Sequence, residues 1–366
     1  MSCDFIALAN QGVQKLSPYQ TGKPIDELKR ELGLNDIIKL ASNENPLGCS
    51  PLAIAAIQAE LKQVSLYPDG NGFNLKQAIQ QKFGFELNCI TLGNGSNDIL
   101  ELVARAYIAQ GESAVYSQHA FAVYPLAVQA VGGVGIEVPA KNFGHDLVAM
   151  AAAIQANTKV VFIANPNNPT GTWFERHEFE QFMAQVPAHV LVVLDEAYVE
   201  YVTDVGFING FDYVKQYANL IVSRTFSKAY GLASLRVGYA IASADVTNIL
   251  NRVRQPFNVN SFALAAATAA LQDESFVQQS RELNSAGMAQ LEQGLNSLAL
   301  GFIPSKGNFI AFDTGRPCLP VFQALLQQGV IVRPIANYGL PNYLRVSIGL
   351  ESENARFLAA LAQVLR

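Results

Sequence analysis

Three apolar runs of this 366-residue chain end in polar residues that share a chemical theme. Val160–Ala164 leads into Asn165-Pro166-Asn167-Asn168-Pro169-Thr170-Gly171. Val190–Leu194 leads into Asp195-Glu196-Ala197-Tyr198, and Leu220–Val222 into Ser223-Arg224-Thr225-Phe226-Ser227-Lys228. Short runs rich in Val and Ile suit strands buried on both faces of a parallel sheet. Open sheets of that kind bind ligands beyond the carboxyl ends of their strands. The three polar segments are therefore expected to meet in one crevice.

Lys228 is the centre of that expectation. A lysine amine delivered neutral to the right place forms a Schiff base with an aldehyde. Thr225 and Ser227 offer hydroxyls beside it, and Arg236 lies eight residues on. Together they suit a phosphate, which Arg binds bidentately. Asp195 offers an anion for a pyridinium nitrogen, keeping a ring cationic so that it accepts electrons. Asn168 and Tyr198 are placed to reach a ring oxygen. Gly93-Asn94-Gly95-Ser96-Asn97 precedes a helical pattern, where free N–H groups favour phosphate. Phe121 offers a stacking face. Each signal alone has a plainer reading: a surface Ser-Lys, a helix cap at Asp195, a Pro-Asn turn at Asn168, a core aromatic at Phe121.

The elements that must position these residues follow from periodicity. Residues 1–40 read as an arm with a turn at Ser17–Pro24 and a helix from Ile25 to Gly33. From 41 to 257, short apolar runs, with Val237–Ile241 as a fourth, alternate with helical patterns such as Asp98–Ala109 and Glu175–Gln185. That order predicts an α/β domain with a mostly parallel sheet. From 258 to 366 the chain reads as a smaller α+β domain. It has an Ala-, Gln- and Leu-rich helical stretch over 261–300, strands at Asn308–Phe312 and Leu344–Ile348, and a final helix from Glu351.

Composition narrows the function. Half of the residues are apolar and 15% are charged, with a net charge of −5 and a pI near 5.5. The absence of a long Lys/Arg block argues against nucleic acid or an anionic membrane as a partner. Cys3, Cys49, Cys89 and Cys318 form no CxxC pair, which argues against a disulfide framework or a metal site and fits a reducing cytoplasm. The first residues, MSCDFIALANQGVQKL, carry no long apolar region and no Arg-rich amphipathic stretch, so no signal peptide is expected. No apolar run approaches the roughly 20 residues of a membrane-spanning helix.

Asn168-Pro169-Thr170-Gly171, Asp195-Glu196-Ala197-Tyr198, Ser227-Lys228 and Arg236 together resemble the fold-type I pyridoxal-phosphate aminotransferases, in order and in spacing. There are 27 residues from Asn168 to Asp195 and 33 from Asp195 to Lys228. The likeness runs nearly end to end and is greatest to the histidinol-phosphate aminotransferases. Tyr19 with Gly22-Lys23-Pro24, Ile38 to Gly48 (IKLASNENPLG), Tyr67-Pro68-Asp69-Gly70, Arg333-Pro334, Tyr338-Gly339-Leu340-Pro341 and Leu344 to Gly349 (LRVSIG) are similar to that family's blocks. Four positions depart from its usual pattern: Phe121 where many relatives have Tyr, Ser234 where many have Gly, and Ser96-Asn97 in place of an acidic pair.

The resemblance implies pyridoxal 5′-phosphate as cofactor, held on Lys228, with Asp195 at the ring nitrogen and Asn168 and Tyr198 at the ring oxygen. It implies a phosphate site from Gly95, Ser96, Asn97, Thr225, Ser227 and Arg236. Tyr67 would reach that site from the other subunit of a homodimer, and Phe121 would stack on the ring. Tyr19, Asn45, Arg333 and Arg345 would face substrate. The implied reaction takes an amino group from L-glutamate, leaving 2-oxoglutarate, and gives it to imidazole acetol phosphate, making histidinol phosphate. Aromatic amino-acid transamination, decarboxylation of a phosphorylated threonine, and a non-catalytic regulator are the competing activities on the same scaffold.

Overall fold

In the computed structural model, residues 3–19 and 22–366 are described. A short strand, β1 (Ile38–Lys39), precedes seven strands of a main sheet: β2 (Ile90–Gly93), β3 (Ser113–Ser117), β4 (Val134–Val138), β5 (Thr158–Ala164), β6 (Leu191–Asp195), β7 (Leu220–Thr225) and β8 (Gly238–Ile241). Their spatial order is β2-β8-β7-β6-β5-β3-β4. β7, β6, β5, β3 and β4 run parallel. β8 is antiparallel to both neighbours, β7 and β2. The expectation that Val237–Ile241 adds another parallel strand is thus corrected: β8 is buried throughout, and burial on both faces yields the same apolar run whichever way a strand points.

Alternation along the strands builds two cores. Val161 and Ile163 of β5 enter one apolar layer, whereas Val160 and Phe162 enter the other, as the two-residue period of a strand requires. Helices cover both layers. The helix Ser96–Tyr107 begins where Gly95, at φ 87°, breaks the backbone. Its Asp98 carboxylate accepts the Asn94 N–H at 2.8 Å and closes the turn before it.

The C-terminal part carries a four-stranded antiparallel sheet. It comprises β9 (Phe302–Ile303), β10 (Phe309–Asp313), β12 (Arg333–Pro334) and β13 (Tyr343–Ser347), in the order β12-β13-β10-β9. Between β10 and β12, β11 (Val330–Ile331) instead pairs in parallel with β1. The N-terminal strand is therefore fastened to the C-terminal part. Leu291, Leu295, Phe312, Leu325, Phe357 and Leu361 form a separate core there. The main core reaches beyond residue 257, taking in Ala263, Ala266, Ala267, Ala270 and Val277. The helix Glu274–Ser297 thus starts in one core and ends in the other. Among the described residues, no helix is long and apolar enough to cross a membrane, and no group of three or more His, Cys, Asp or Glu is placed to hold a metal.

Candidate active site

The carboxyl ends of β5, β6 and β7 deliver Asn168, Asp195 and Lys228 to the walls of one cavity of about 290 Å³. Tyr19, Ser96, Asn97, Phe121, Tyr198, Thr225, Ser227, Arg236, Arg333 and Arg345 line it as well. Most of the set expected from sequence therefore converges, although it is drawn from segments far apart in the chain.

At the floor, Asp195 Oδ2 accepts a hydrogen bond from Tyr124 Oη at 3.0 Å. Asp195 Oδ1 is buried with no partner. A buried acceptor without a partner is costly, and a protonated ring nitrogen would satisfy it. Burial raises the Asp195 pKa to about 6, opposed by the Tyr124 hydrogen bond; the group still ionises at neutral pH. Lys228 is shifted the opposite way. Burial, reinforced by the Arg345 charge, brings its ammonium down to about 7, so a neutral amine is accessible near physiological pH. Its Nζ donates to Ser42 O at 3.0 Å and sits 5.7 Å from the centre of the Tyr198 ring.

At the opposite end lies a cradle for an anion. Arg236 adopts a left-handed φ of 55° and donates through Nη1 to Ser227 Oγ at 3.2 Å and Ala233 O at 2.9 Å. A Cβ on Gly95 would fall 2.4 Å from Arg236 Nη2, and one on Gly238 would fall 2.6 Å from Ser96 N. Two glycines thus let the helix start, β8 and the guanidinium crowd together, which suits a phosphate held by backbone N–H groups and Arg. Thr225 Oγ1 accepts the Ser227 N–H at 3.1 Å, fixing the turn before Lys228. Phe121 meets Tyr124 edge-on, with ring centres 6.0 Å apart. The lone acceptor at one end, the aromatic wall and the anion cradle at the other fit pyridoxal phosphate.

Arg345, itself buried, donates through Nη2 to Ala41 O at 2.8 Å and through Nη1 to Asn168 Oδ1. Three expected residues do not line this cavity: Gly95, which instead packs against Arg236 at the helix start, Asn45 and Tyr67. Asn45 is buried elsewhere, with Nδ2 donating to Ala229 O and Ser280 Oγ. Tyr67 is 83% exposed and stacks on Phe257 with ring centres 4.9 Å apart. Three features were missed from sequence: Tyr124 beneath Asp195, the turn Ala41-Ser42-Asn43, and the buried ion pair of Glu196 with Arg224 at 2.7 Å. The adjacency of Glu196 to Asp195 was the available signal for the ion pair; nothing local marked Tyr124.

The model of the family described as aminotransferase class I and II matches residues 35–361. Histidinol-phosphate aminotransferase 2 of Pseudomonas fluorescens is 64% identical over 367 residues, covering 100% of this chain and 99% of the relative. The protein of that name from Pseudomonas aeruginosa is 64% identical over 364 residues, covering 99% of each. The crystal structure of histidinol-phosphate aminotransferase from Sinorhizobium meliloti in complex with pyridoxal-5′-phosphate superposes with a TM-score of 0.90 at 27% identity, covering 97% of each chain. A Thermus thermophilus aspartate aminotransferase structure with maleate is alike in fold, with a TM-score of 0.84 at 22% identity, covering 97% of this chain and 99% of that one. A family match over most of the length, and relatives this similar from end to end, establish that the chain belongs to the class I and II aminotransferases.

Proposed function

We propose that the chain transfers an amino group between L-glutamate and imidazole acetol phosphate, producing 2-oxoglutarate and histidinol phosphate, with pyridoxal phosphate as carrier. The observation that carries this is a buried, readily neutralised Lys228 in one cavity with an unpartnered Asp195 oxygen and two buried arginines. The full-length relatives at 64% identity bear the matching activity in their names.

Bound in this cavity, pyridoxal phosphate supplies an aldehyde for amines and a ring that withdraws electrons from the substrate carbon. The protein supplies the rest. Lys228 Nζ, in its neutral form, would take the proton from the substrate α-carbon. Asp195 Oδ1 holds the ring-nitrogen proton, and Tyr124 fixes that carboxylate. Asn168 and Tyr198 bind the ring oxygen, and Phe121 covers the ring face. Gly95, Ser96, Asn97, Thr225, Ser227 and Arg236 anchor the phosphate. Tyr19, Arg333 and Arg345 receive the substrate anions, since guanidinium groups accept carboxylate and phosphate alike. Asn45 supports the lysine segment through Ala229.

The working unit is read as a homodimer in the cytoplasm, in which Tyr67 reaches the phosphate site of a second copy. Its support is the exposed apolar surface around it, including Leu61, Val64, Leu66 and Phe257, of the kind that marks an interface. The division of labour is a cofactor-binding part from residue 41 through the start of the helix Glu274–Ser297, and a smaller part formed by the remaining C-terminal residues with the N-terminal arm. The direct test is a half-reaction: holo-protein mixed with histidinol phosphate and followed by absorbance. Conversion of the bound chromophore is expected. No change with histidinol phosphate, together with ready conversion by phenylalanine, would reject the substrate assignment.

A further inference from the structure

Ala41, Ser42 and Asn43 are consecutive, and each holds a different group of the site. Arg345 Nη2 donates to Ala41 O, Lys228 Nζ donates to Ser42 O, and Asn43 Nδ2 donates to Tyr198 Oη at 3.0 Å. Asn43 is 1% exposed and stands at φ 56°, a left-handed conformation that Asn tolerates better than most residues.

Three hydrogen bonds set how the Asn43 side chain is turned. Its backbone N–H donates to Ser347 Oγ at 2.8 Å. That hydroxyl's own proton goes to Asn43 Oδ1 at 3.0 Å. With its oxygen turned to Ser347, the amide must turn its NH₂ to Tyr198, and an NH₂ donates without accepting. The phenol oxygen is therefore the acceptor in this bond, and its single proton is left for another partner. Tyr198 lines the cavity. The backbone of Asn43 is held on the far side as well, its carbonyl accepting from Asn308 Nδ2 at 3.0 Å.

We propose that Asn43 is a positioning residue that aims the Tyr198 hydroxyl proton into the cavity, toward the ring oxygen of the bound cofactor. The inference rests on the cofactor assignment above. The ionisable groups facing the Tyr198 phenol are Arg345, Asp195, Tyr19, Lys228, Tyr124 and Tyr201. None of them donates to its oxygen in place of Asn43.

The test uses holo-protein and three variants. Tyr198→Phe deletes the donor. Asn43→Gly keeps the left-handed backbone and deletes the amide. Asn43→Asp presents a carboxylate of nearly the same shape, which accepts where the amide donated and draws the phenol proton back from the cavity. The readouts are the pH midpoint of the bound chromophore's absorbance and the pyridoxal-phosphate dissociation constant, with thermal unfolding of each cofactor-free variant as the folding control. Losing a donor to an anionic oxygen leaves more negative charge beside the titrating proton, so the midpoint rises. Tyr198→Phe and Asn43→Asp are expected to raise it by about one pH unit, the scale of one hydrogen bond to a charged group, and Asn43→Gly by less. If Tyr198→Phe moves the midpoint and both folded Asn43 variants keep the wild-type value, Asn43 has only a structural role and the proposal is overturned. Should wild type bind no pyridoxal phosphate, the cofactor assignment fails first and takes this inference with it.

Discussion

Arg333 and Arg345 are register partners across β12 and β13, so two guanidinium groups leave neighbouring strands on one face. Like charges placed opposite each other repel, and a phosphate dianion between them would relieve that repulsion with charge-assisted hydrogen bonds. Arg333→Ala is therefore expected to cut kcat/KM for histidinol phosphate far more than for phenylalanine, by about 2–5 kcal/mol for a desolvated contact. Arg345→Ala should depress every donor, because amino acids also need it for their α-carboxylate. An unchanged donor ratio in Arg333→Ala would remove Arg333 from the phosphate site.

Tyr124→Phe deletes the only hydrogen bond described for the Asp195 side chain from another side chain. That bond lowers the Asp195 pKa against burial, so its loss raises the pKa further. The carboxylate then protonates at higher pH. The acid limb of the kcat profile should move toward neutrality by about 1–2 units, the equivalent of one hydrogen bond to a charged group. A limb that stays in place would mean Tyr124 only packs.

Lys228→Ala is expected to abolish transamination while leaving pyridoxal phosphate bound through its phosphate contacts. In wild type, borohydride should fix the cofactor to Lys228. An amine attacks only when neutral, and burial brings the Lys228 pKa down to about 7. The rate of cofactor capture by the apo-protein should therefore rise as pH climbs through about 7, well below the roughly 10.4 of a solvated lysine. Label on another lysine would contradict the assignment.

Subunit sharing has a genetic form of test. Tyr67→Ala and Lys228→Ala proteins, each nearly inactive, should regain activity when mixed under conditions of subunit exchange, since one site of a heterodimer is then intact. No recovery after proven exchange would count against a site shared through Tyr67.

The Glu196–Arg224 pair is a stability element. Arg224 donates twice to Glu196 Oε2, at 2.9 and 2.7 Å, and its guanidinium lies 3.6 Å from the centre of the Phe211 ring. Arg224→Leu strands a buried carboxylate and should cost about 3–5 kcal/mol, read by denaturant unfolding. Adding Glu196→Gln should restore part of that loss.

Lys228, Asp195 and Asn168 were legible because strand ends announce themselves: an apolar run stops and a polar cluster begins. The direction of β8 was not, since burial on both faces erases the sign. β4 escaped because its Val134–Val138 segment is mostly exposed at the sheet edge and carries no buried run. Asn43 and Asn45 show a harder limit. They share a residue type and lie two positions apart, yet one meets Tyr198 and the other Ser280. That choice is made by the pairing of β1 and β13 with the rest of the C-terminal part, which no local pattern encodes. Tyr124 sits among apolar helix residues, and its hydroxyl acquires meaning only when β6 brings Asp195 within 3.0 Å of it.

The connection between β7 and β8 is pinned at its base, with Thr225 paired to Gly238 and Phe226 N donating to Val237 O at 3.1 Å. The residues between include Ser227, Lys228 and Arg236, so the amine and the guanidinium proposed to hold the cofactor ride on one closed ring of backbone. Inserting or deleting a single residue there would move the amine relative to the anchor even if every functional side chain were kept. The number of residues in this stretch is thus as much a part of the site as their identity, and libraries that vary chain length should leave it untouched.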